Sequence, residues 1–368
     1  MYIWQNKEWP NFRWDESKVA NKLSQVKFEQ GRLLGIMSML GFDLKNVTIL
    51  DAMTSDIVES SNIEGVMLNT EDVRSSIAWQ LGLDNIGLPP SNRYIEGVVE
   101  VMFDAVKNYQ KPLTPKRLFS WHTSLFPNAN TSKHITVGQW RKSTLPMQVV
   151  SGRYGNETVH YEAPLSTDVP DLMNTFLQWL QEEQDIDMII KAAIAHLWFV
   201  TIHPFSDGNG RIARTIMDML LAKSDDTPHR FYSMSSTIGK KRKDYYNILE
   251  KTQKGNLDVT EWLMWFLESM NDAIKDSLFL VGKIKKKSVF WENNRHLSMN
   301  ERQTKIINML WDSFEGNLTS SKWAKITKCS SDTALRDIQD LIRKGVLIKN
   351  DSNGRSTSYR LAEKNDLD

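Results

Sequence analysis

The feature that most constrains this fold is an apolar run that ends at a proline and leads into a glycine-rich loop. Residues 191–200 predict a buried helix, and Pro204 should end that helix at His203, because the residue before a proline avoids helical backbone angles. A second helix is predicted to begin near Gly208, with an apolar face formed by Ile212, Ile216, Met219 and Leu220. The sequence therefore predicts two helices joined by a short loop, around which the rest of the chain is organised.

The loop between these helices carries the residue types of a phosphate site. The first turn of a helix leaves backbone N–H groups without partners, and glycines let an anion approach them. Arg211 and Arg214 lie one turn apart and add charge-assisted donors. Asp207 is a hard oxygen ligand suited to Mg²⁺ that is itself held by phosphates. His203 is placed as a general base for an attacking hydroxyl.

The stretch from His203 to Arg214 reads H-P-F-S-D-G-N-G-R-I-A-R. It resembles the signature of the Fic family, H-x-F-x-[DE]-G-N-G-R-x-x-R, at every fixed position. The resemblance implies AMP transfer from ATP to a protein hydroxyl, with His203 as the base and Asp207 as the Mg²⁺ ligand. It also implies an anion hole formed by Gly208, Asn209 and Gly210, and phosphate contacts from Arg211 and Arg214. The alternative is a buried helix–loop–helix with a satisfied histidine and surface arginines.

A helix predicted from about residue 47 to Glu64 places an acid where acids are disfavoured. Its apolar stripe at Leu50, Met53 and Ile57 continues into Ser60, Ser61 and Glu64, and Gly65 follows as a C-cap. Glu64 therefore lies in the last turn, beside the negative end of the helix dipole. A locally unfavourable residue in a well-patterned helix suggests function or a specific partner.

The segment Ser60-Ser61-Asn62-Ile63-Glu64-Gly65 resembles the inhibitory motif [ST]-x-x-x-E-[GN] of Fic proteins. The resemblance implies that Glu64 pairs with the second motif arginine, here Arg214, and occupies the place of the γ-phosphate. The position of the motif before the core resembles the second class of the family. The alternatives are an ordinary buried ion pair and an exposed helix end.

Residues 138–164 change character from helical to β-like. Short β-type runs at 147–150 and 158–161 flank a turn-rich stretch, which predicts a hairpin. The segment, with its Gly-Gln-x-Arg entry and proline exit, resembles the flap with which Fic proteins hold a target segment by strand addition. In this setting His160 would be a possible target contact. A purely structural hairpin is the alternative.

Residues 238–252 resemble the family segment I-x-x-N-R-x-x-Y-Y-x-x-L. The resemblance implies that Tyr245 and Tyr246 flank the nucleotide base, and Lys241 stands where the family has Asn. Half-buried helix packing is the alternative for both tyrosines. Histidines outside the motif are predicted to be structural: His122, His134 and His196.

Residues 299–362 predict a separate unit with three helices followed by two strands, an order that resembles a winged helix-turn-helix. The third helix offers Thr333 and Arg336 to a nucleic-acid groove, and the wing offers Arg355. The same helix carries acids that match phosphates poorly: Asp332, Asp337 and Asp340. DNA binding and protein docking both stay open.

The overall prediction is a mainly α chain built as a Fic-type helical bundle with a β-hairpin flap and a small C-terminal winged helix-turn-helix domain. Its parts are an N-terminal helical region (1–94) with an inhibitory helix (47–65), a catalytic core (95–272) with the flap (138–164), a linker (273–298) and the winged-helix domain (299–368).

Composition limits the setting of this chain. Its formal net charge is +1, so no overall polyelectrolyte partner is implied, and its single cysteine, Cys329, cannot form an internal disulfide. The N-terminus lacks a signal-peptide pattern, and no apolar run approaches the ~20 residues of a membrane span. We therefore expect a cytoplasmic protein without membrane contact.

The predicted function is protein adenylyl transfer, with ATP and Mg²⁺ as cofactors and a Tyr, Thr or Ser hydroxyl of a target protein as acceptor. Self-modification, inhibition by Glu64 and a homodimer are further expectations. One alternative is a DNA-binding regulator whose core senses nucleotide. Another is a Fic-fold phosphotransferase, in which a bulky Lys replaces the second loop glycine, and Gly210 argues against it.

Overall fold

The computed structural model describes residues 1–83, 92–127, 135–153, 156–182, 185–312, 314–350 and 357–362. These residues are mainly helical, which confirms the predicted fold class. The chain divides into two compact units, Met1–Leu280 and Val281–Asp368. None of the described helices is both long enough and apolar enough to cross a membrane.

The first unit begins with helices α1 (Glu16–Met39), α2 (Phe42–Ile63), α3 (Thr70–Gln80), α4 (Arg93–Lys107) and α5 (Pro115–Leu125). The side chains of Asp15, Asn69 and Thr114 each accept a hydrogen bond from a backbone N–H in the first turn of the helix that follows. Such caps satisfy donors that the helix itself leaves unpaired. Helix α2 begins at Phe42 rather than near residue 47, so it is longer than the sequence pattern predicts.

A two-stranded antiparallel sheet follows, formed by β1 (Gln148–Arg153) and β2 (Asn156–Glu162). Ser151 pairs with Thr158, and the register shifts between Val149 and Val150. The hairpin lies in the region that the sequence predicts. The two strands are longer than the predicted runs.

The centre of the first unit is built from α6 (Val169–Gln181), α7 (Met188–Ile202) and α8 (Asn209–Asp225). Every residue of α7 from Ile189 to Ile202 is buried, as its composition predicts. Trp262 donates from its indole N–H to the Ala193 carbonyl oxygen at 2.9 Å, which fixes a later helix against α7. The packing of α7 and α8 holds the short loop between them in place.

The segment predicted as one helix over 238–252 is two helices, α9 (Met234–Lys240) and α10 (Arg242–Gln253). Lys241 separates them with φ −108° and ψ 28°, outside the helical region. Gly239, a weak helix former, precedes the break, and the Lys241 ammonium is held 2.6 Å from the Asp272 carboxylate. The apolar periodicity continues through both helices, which is why the sequence pattern does not show the break.

Helix α11 runs without interruption over Thr260–Asn293. The predicted linker over 273–298 is therefore helical up to Asn293, and the division between the two units falls inside this helix. The basic run at 283–287 suggested a solvated connector, but lysine is a good helix former, so positive charge alone does not end a helix.

The second unit contains α12 (Glu301–Asp312), α13 (Ser320–Thr327), α14 (Ser331–Arg343), β3 (Leu347–Lys349) and β4 (Tyr359–Leu361). β3 and β4 pair antiparallel, with Ile348 opposite Arg360. The unit has its own apolar core, which includes Ile306, Ile307, Trp323, Ile338, Leu341 and Leu347. The element order is the one predicted from the sequence; its identity as a winged helix stays a prediction. The predicted wing residue Arg355 and His134 lie outside the described residues.

Two acids of α14 have partners within their own unit. Asp337 is 7% exposed and accepts hydrogen bonds from Asn300 at 2.9 Å and from Arg302 at 2.8 Å. Asp340 accepts from Gln303 and, at 2.5 Å, from Lys344. These carboxylates stabilise the unit, so the sequence argument that they would repel a phosphate backbone is weakened.

Candidate active site

His203 ends α7 with a left-handed backbone, φ 53° and ψ 57°. Its ring Nδ1 lies 3.2 Å from the Val200 carbonyl oxygen. A carbonyl can only accept, so Nδ1 carries the hydrogen and Nε2 keeps its lone pair. Burial lowers the pKa of His203 to about 4. The imidazole is therefore neutral at physiological pH and presents a basic nitrogen.

Arg141, which the sequence analysis noted only as the entry of the hairpin, holds the loop after α7. Its Nε donates to the His203 carbonyl oxygen at 2.7 Å, and its Nη2 donates to the Pro164 carbonyl oxygen at 2.5 Å. Its backbone N–H donates to the Pro204 carbonyl oxygen at 2.9 Å. The side chain is 3% exposed. Arg141 thus connects both ends of the hairpin segment to the histidine loop.

The Asn209 side chain stabilises the loop through hydrogen bonds to its backbone. Its side chain accepts from the Phe205 N–H at 2.9 Å and donates to the Phe205 carbonyl oxygen at 2.8 Å. The Asn209 side chain is committed to this reciprocal pair, so any contribution to an anion hole must come from its backbone. Phe205, fully buried, stacks on the His122 ring with centroids 4.2 Å apart.

His122 supports the same loop, in keeping with its predicted structural role. Its Nδ1 accepts from the Gly138 N–H at 3.1 Å, so Nε2 carries the hydrogen and donates to the Asp207 carbonyl oxygen at 3.2 Å. Burial lowers the pKa of His122 to about 4, which keeps this neutral tautomer.

Asp207 is exposed at the tip of the loop. Its Oδ1 accepts from the Gly208 N–H at 2.6 Å, and Gly208 has φ +79°, a conformation that other residues rarely adopt. Within the described ranges, no group of three or more His, Cys, Asp or Glu side chains could hold a metal by itself. One exposed carboxylate beside a phosphate loop fits Mg²⁺ that arrives with phosphates rather than a cage made by the protein.

Glu64 lies directly against the first turn of α8. A Cβ placed on Gly210 would be 2.0 Å from the Glu64 Oε1, so the carboxylate occupies the space that the missing side chain leaves. Glu64 is the residue after α2, which ends at Ile63. The acid therefore occupies the helix N-terminus where an anion would be favoured.

Arg214 binds the end of α2 through three contacts. Its Nη2 donates to the Glu64 Oε1 and to the Ser60 carbonyl oxygen, each at 2.7 Å, and its Nε donates to the Ser60 hydroxyl at 2.9 Å. The Arg214 side chain is 1% exposed and that of Glu64 is 31% exposed. Burial disfavours the charged form of Glu64, but the Arg214 charge and hydrogen bond outweigh it and lower the pKa of the carboxyl.

Arg211, one turn before Arg214 on α8, is also buried. Its Nη1 donates to the Tyr94 hydroxyl at 2.8 Å, and its guanidinium lies 4.9 Å from the centre of the Phe126 ring. Neither partner was predicted from the sequence. Among the buried guanidinium nitrogens without a hydrogen-bond partner in the described residues are two at this site, Nε of Arg211 and Nη1 of Arg214. Buried unpaired donors are costly, so both mark a place for an acceptor.

A cavity of about 450 Å³ opens beside His203, Glu64 and Gly210. The hairpin lines one side through Val149, Val150 and Ser151, and α10 lines another through Tyr245 and Tyr246. Residues from distant parts of the chain thus line one cavity next to the loop between α7 and α8. Its remaining lining is Tyr161, Val200, His160, Arg242, Asn247, Leu249, Glu250 and Gln253.

The two tyrosines of α10 differ in their solvent exposure. Tyr245 is 2% exposed, and its hydroxyl forms a hydrogen bond of 2.9 Å with Nε2 of His196. Tyr246 is 39% exposed, and its hydroxyl donates to the Ile63 carbonyl oxygen at 3.3 Å. Tyr246 is therefore the better placed ring for a ligand. Lys241, bound to Asp272, does not line the cavity.

Fold and site together define a helical protein in which a neutral histidine and the first turn of a helix line one cavity, and in which that helix carries two buried arginines. A model described as Fic/DOC family matches residues 112–221. The chain therefore carries a Fic/DOC-family domain, as its motif predicts. A second model, described as a domain of unknown function (DUF4172), matches residues 2–83, which include α2 and Glu64.

Curated relatives with the same domain are similar over part of their length. The chain is 26% identical over 249 residues to the protein adenylyltransferase Fic of Aedes aegypti, which covers 66% of this chain and 46% of that protein. It is 33% identical over 95 residues to a probable protein adenylyltransferase of Aquifex aeolicus, which covers 26% of this chain and 27% of that protein. The chain thus spans less than half of either relative.

Solved structures show the same fold. A Fic family protein from Desulfovibrio desulfuricans aligns over 94% of this chain and 96% of its own, with a TM-score of 0.54 and 19% identity. A Fic domain containing signaling protein from Bacteroides thetaiotaomicron aligns over 73% of this chain and 97% of its own, with a TM-score of 0.50 and 19% identity.

Proposed function

We propose that this chain is a protein adenylyltransferase, which transfers AMP from ATP to a hydroxyl side chain of a target protein. The observation that carries the proposal is the neutral His203, which keeps the lone pair on Nε2 and lines the same cavity as Gly210 at the start of α8. The curated relatives named adenylyltransferases support the same reaction. The target would offer a Tyr, Thr or Ser hydroxyl.

The phosphates would bind at the start of α8. The first-turn N–H groups and the macrodipole favour an anion there, and Gly208 and Gly210 leave the backbone accessible. The unpaired nitrogens of Arg211 and Arg214 belong to residues of the same part of α8 and could donate hydrogen bonds to phosphate oxygens. Asp207 would contribute a carboxylate to Mg²⁺, which when bound neutralises charge on the phosphates.

The chemical step requires one proton acceptor. As the target hydroxyl oxygen forms a bond to the α-phosphorus, His203 Nε2 takes the hydroxyl proton, the bond between the α-phosphorus and its bridging oxygen breaks, and pyrophosphate leaves. The Val200 carbonyl holds the Nδ1 hydrogen and so stabilises the imidazolium that forms. Tyr246, and the edge of Tyr245, would contact the base.

The phosphotransferase alternative is disfavoured by one contact. A lysine at position 210 would begin with a Cβ 2.0 Å from the Glu64 carboxylate, so it would displace that carboxylate from its contact with Arg214. The open helix start that glycine leaves is suited to a phosphate chain approaching the backbone.

Glu64 is proposed to inhibit the reaction. Its carboxylate contacts both Gly210 and Arg214, where the terminal phosphate of a productively bound triphosphate would compete for the same donors. Displacement of α2, or removal of the carboxylate, would free Arg214 for the nucleotide.

The second unit is proposed as a docking element. Thr333 and Arg336 stand on α14, and the internal pairing of Asp337 and Asp340 reduces the negative charge that this helix would present to phosphates. DNA binding stays a prediction, and it would make the chain a nucleotide-sensing regulator. Docking of a target protein, or of a second copy as a homodimer, also stays a prediction.

The test is incubation with ATP labelled in the adenosine moiety, Mg²⁺ and cell lysate, followed by mass analysis of labelled proteins. We expect a mass increase equal to one AMP on a hydroxyl residue, and none with His203→Ala, although that variant should bind nucleotide within a few-fold of the parent. Transfer of a phosphoryl group instead, or a fully active His203→Ala protein, would overturn the proposal.

A further inference from the structure

A hydroxyl–imidazole–carboxylate chain lines the cavity that His203 also lines. The Ser151 hydroxyl on β1 lies 2.6 Å from Nε2 of His160 on β2. The His160 Nδ1 lies 2.7 Å from Oε2 of Glu250 on α10. The three side chains come from three different elements and form one continuous hydrogen-bonded row.

The direction of each hydrogen bond follows from the chemistry of the groups. The Glu250 carboxylate only accepts, so His160 Nδ1 carries a hydrogen and donates it. In the neutral ring Nε2 then has the lone pair, and the Ser151 O–H donates to it. Lys254 donates to the other Glu250 oxygen at 2.6 Å and, more than any other group, lowers the pKa of that carboxyl, which keeps it ionised.

This proton arrangement is the one that activates a serine hydroxyl, with an oriented imidazole ready to take its proton. The side chains of His160 and Glu250 are each 34% exposed, and ion pairs this accessible add little stability. Stability alone therefore does not explain why three elements align these groups. Ser151, His160 and Glu250 all line the cavity that His203 and Gly210 also line.

We propose that Ser151 is an acceptor of the nucleotidyl group, a site of self-modification, with His160 as its general base and Glu250 as a positioning residue. The inference rests on the proposed function, since the cavity must hold ATP. The Ser151 oxygen forms a bond to the α-phosphorus while His160 Nε2 takes its proton, and pyrophosphate leaves with the electrons of the broken bond. The product is a phosphodiester on the hairpin.

A modified Ser151 would change the cavity. The serine is exposed and lies on the hairpin strand beside Val149 and Val150, so an attached AMP would occupy space between the hairpin and α10. Self-modification at this position would thus limit access of a target segment to the same cavity.

The experiment uses the full chain carrying Glu64→Gly, incubated with ATP and Mg²⁺ in lysate, with peptide mapping of the hairpin. We expect AMP on Ser151, its absence in Ser151→Ala, and at least about tenfold slower labelling of Ser151 in His160→Gln. Glu250→Ala should also slow it, and Glu250→Asp should restore part of the rate. The matched control is Thr158→Ala, the exposed hydroxyl opposite Ser151 in the hairpin, which should leave Ser151 labelling unchanged.

Pyrophosphate release and labelling of other proteins in the same incubation report the proposed function separately. If both occur while Ser151 stays unmodified, or while His160→Gln labels Ser151 at the parent rate, the self-modification site is wrong and the adenylyl transfer stands. If neither occurs, the proposed function fails and this inference fails with it.

Discussion

The Glu64 carboxylate lies 2.7 Å from the Arg214 Nη2, across a separation of 150 residues in sequence. Arg214 is buried, so its charge depends on this partner and on the Ser60 contacts. The same carboxylate fills the space over Gly210. One acid from α2 therefore satisfies the arginine and covers the helix start that are both proposed to bind phosphate.

Glu64→Gly should raise AMP incorporation by at least about tenfold, which corresponds to about 1.4 kcal/mol in barrier height. Removing one partner of a buried pair leaves the other charge uncompensated, so the melting temperature without nucleotide should fall, and ATP should restore more of it than in the parent. The measurements are label incorporation and thermal unfolding with and without ATP. The matched control is Glu59→Gly, which removes an acid of α2 that accepts a hydrogen bond from Asn62. Equal incorporation by the parent and Glu64→Gly would show that Glu64 does not inhibit transfer.

His203 should stay neutral from physiological pH down to about pH 5, because burial lowers its pKa to about 4. The folded pKa is below the ordinary value, so the base form is present throughout that range and is lost only as the pH falls through about 4. An NMR titration of the histidine side chains, with His203→Ala to assign the signal, checks this. A His203 signal that titrates near pH 6.5 would show that the ring is solvated and ordinary.

Gly210→Ala should damage the site because the added Cβ would lie 2.0 Å from the Glu64 Oε1. The added methyl group would displace the Glu64 carboxylate from its contact with Arg214, so we expect lower thermal stability. We also expect at least about tenfold weaker ATP binding, since the methyl group blocks approach to the backbone. The measurements are thermal unfolding and ATP titration. Gly282→Ala is the matched control: no atom lies within 4 Å of its added Cβ, and this change within α11 should be neutral or slightly stabilising. Identical behaviour of the two variants would contradict the close approach at Gly210.

Asp207→Ala should abolish the Mg²⁺-dependent AMP transfer and weaken binding of ATP in the presence of Mg²⁺. Binding of ATP without metal should change little. The carboxylate is exposed and accepts a hydrogen bond from the adjacent Gly208 N–H, so the fold should persist. Calorimetric titration with and without Mg²⁺ measures the difference. Asp244→Ala, an exposed acid on α10, is the control. A Mg²⁺ response equal to that of the parent protein would place the metal elsewhere.

The helix–loop–helix at the centre of the chain and the chemistry of its loop follow from local sequence. Pro204, the glycines of the loop and the apolar period of α7 act over a few residues, so local sterics and burial set the outcome wherever the rest of the chain lies. The hairpin and the helices of the second unit were predictable for the same reason. The break at Lys241 and the helical character of 273–293 were missed, because periodicity hides a one-residue break and a lysine run is compatible with a helix.

The contacts between groups distant in sequence depend on the folded structure. It set Arg141 against the carbonyls around His203, Tyr94 against Arg211, and Glu250 against His160. It also gave His203 its neutral state, since burial rather than residue type lowers that pKa. Contacts of this kind depend on the packing of whole elements, in which a buried polar group takes whichever partner the fold brings within hydrogen-bond distance. No local pattern in the chain encodes that choice.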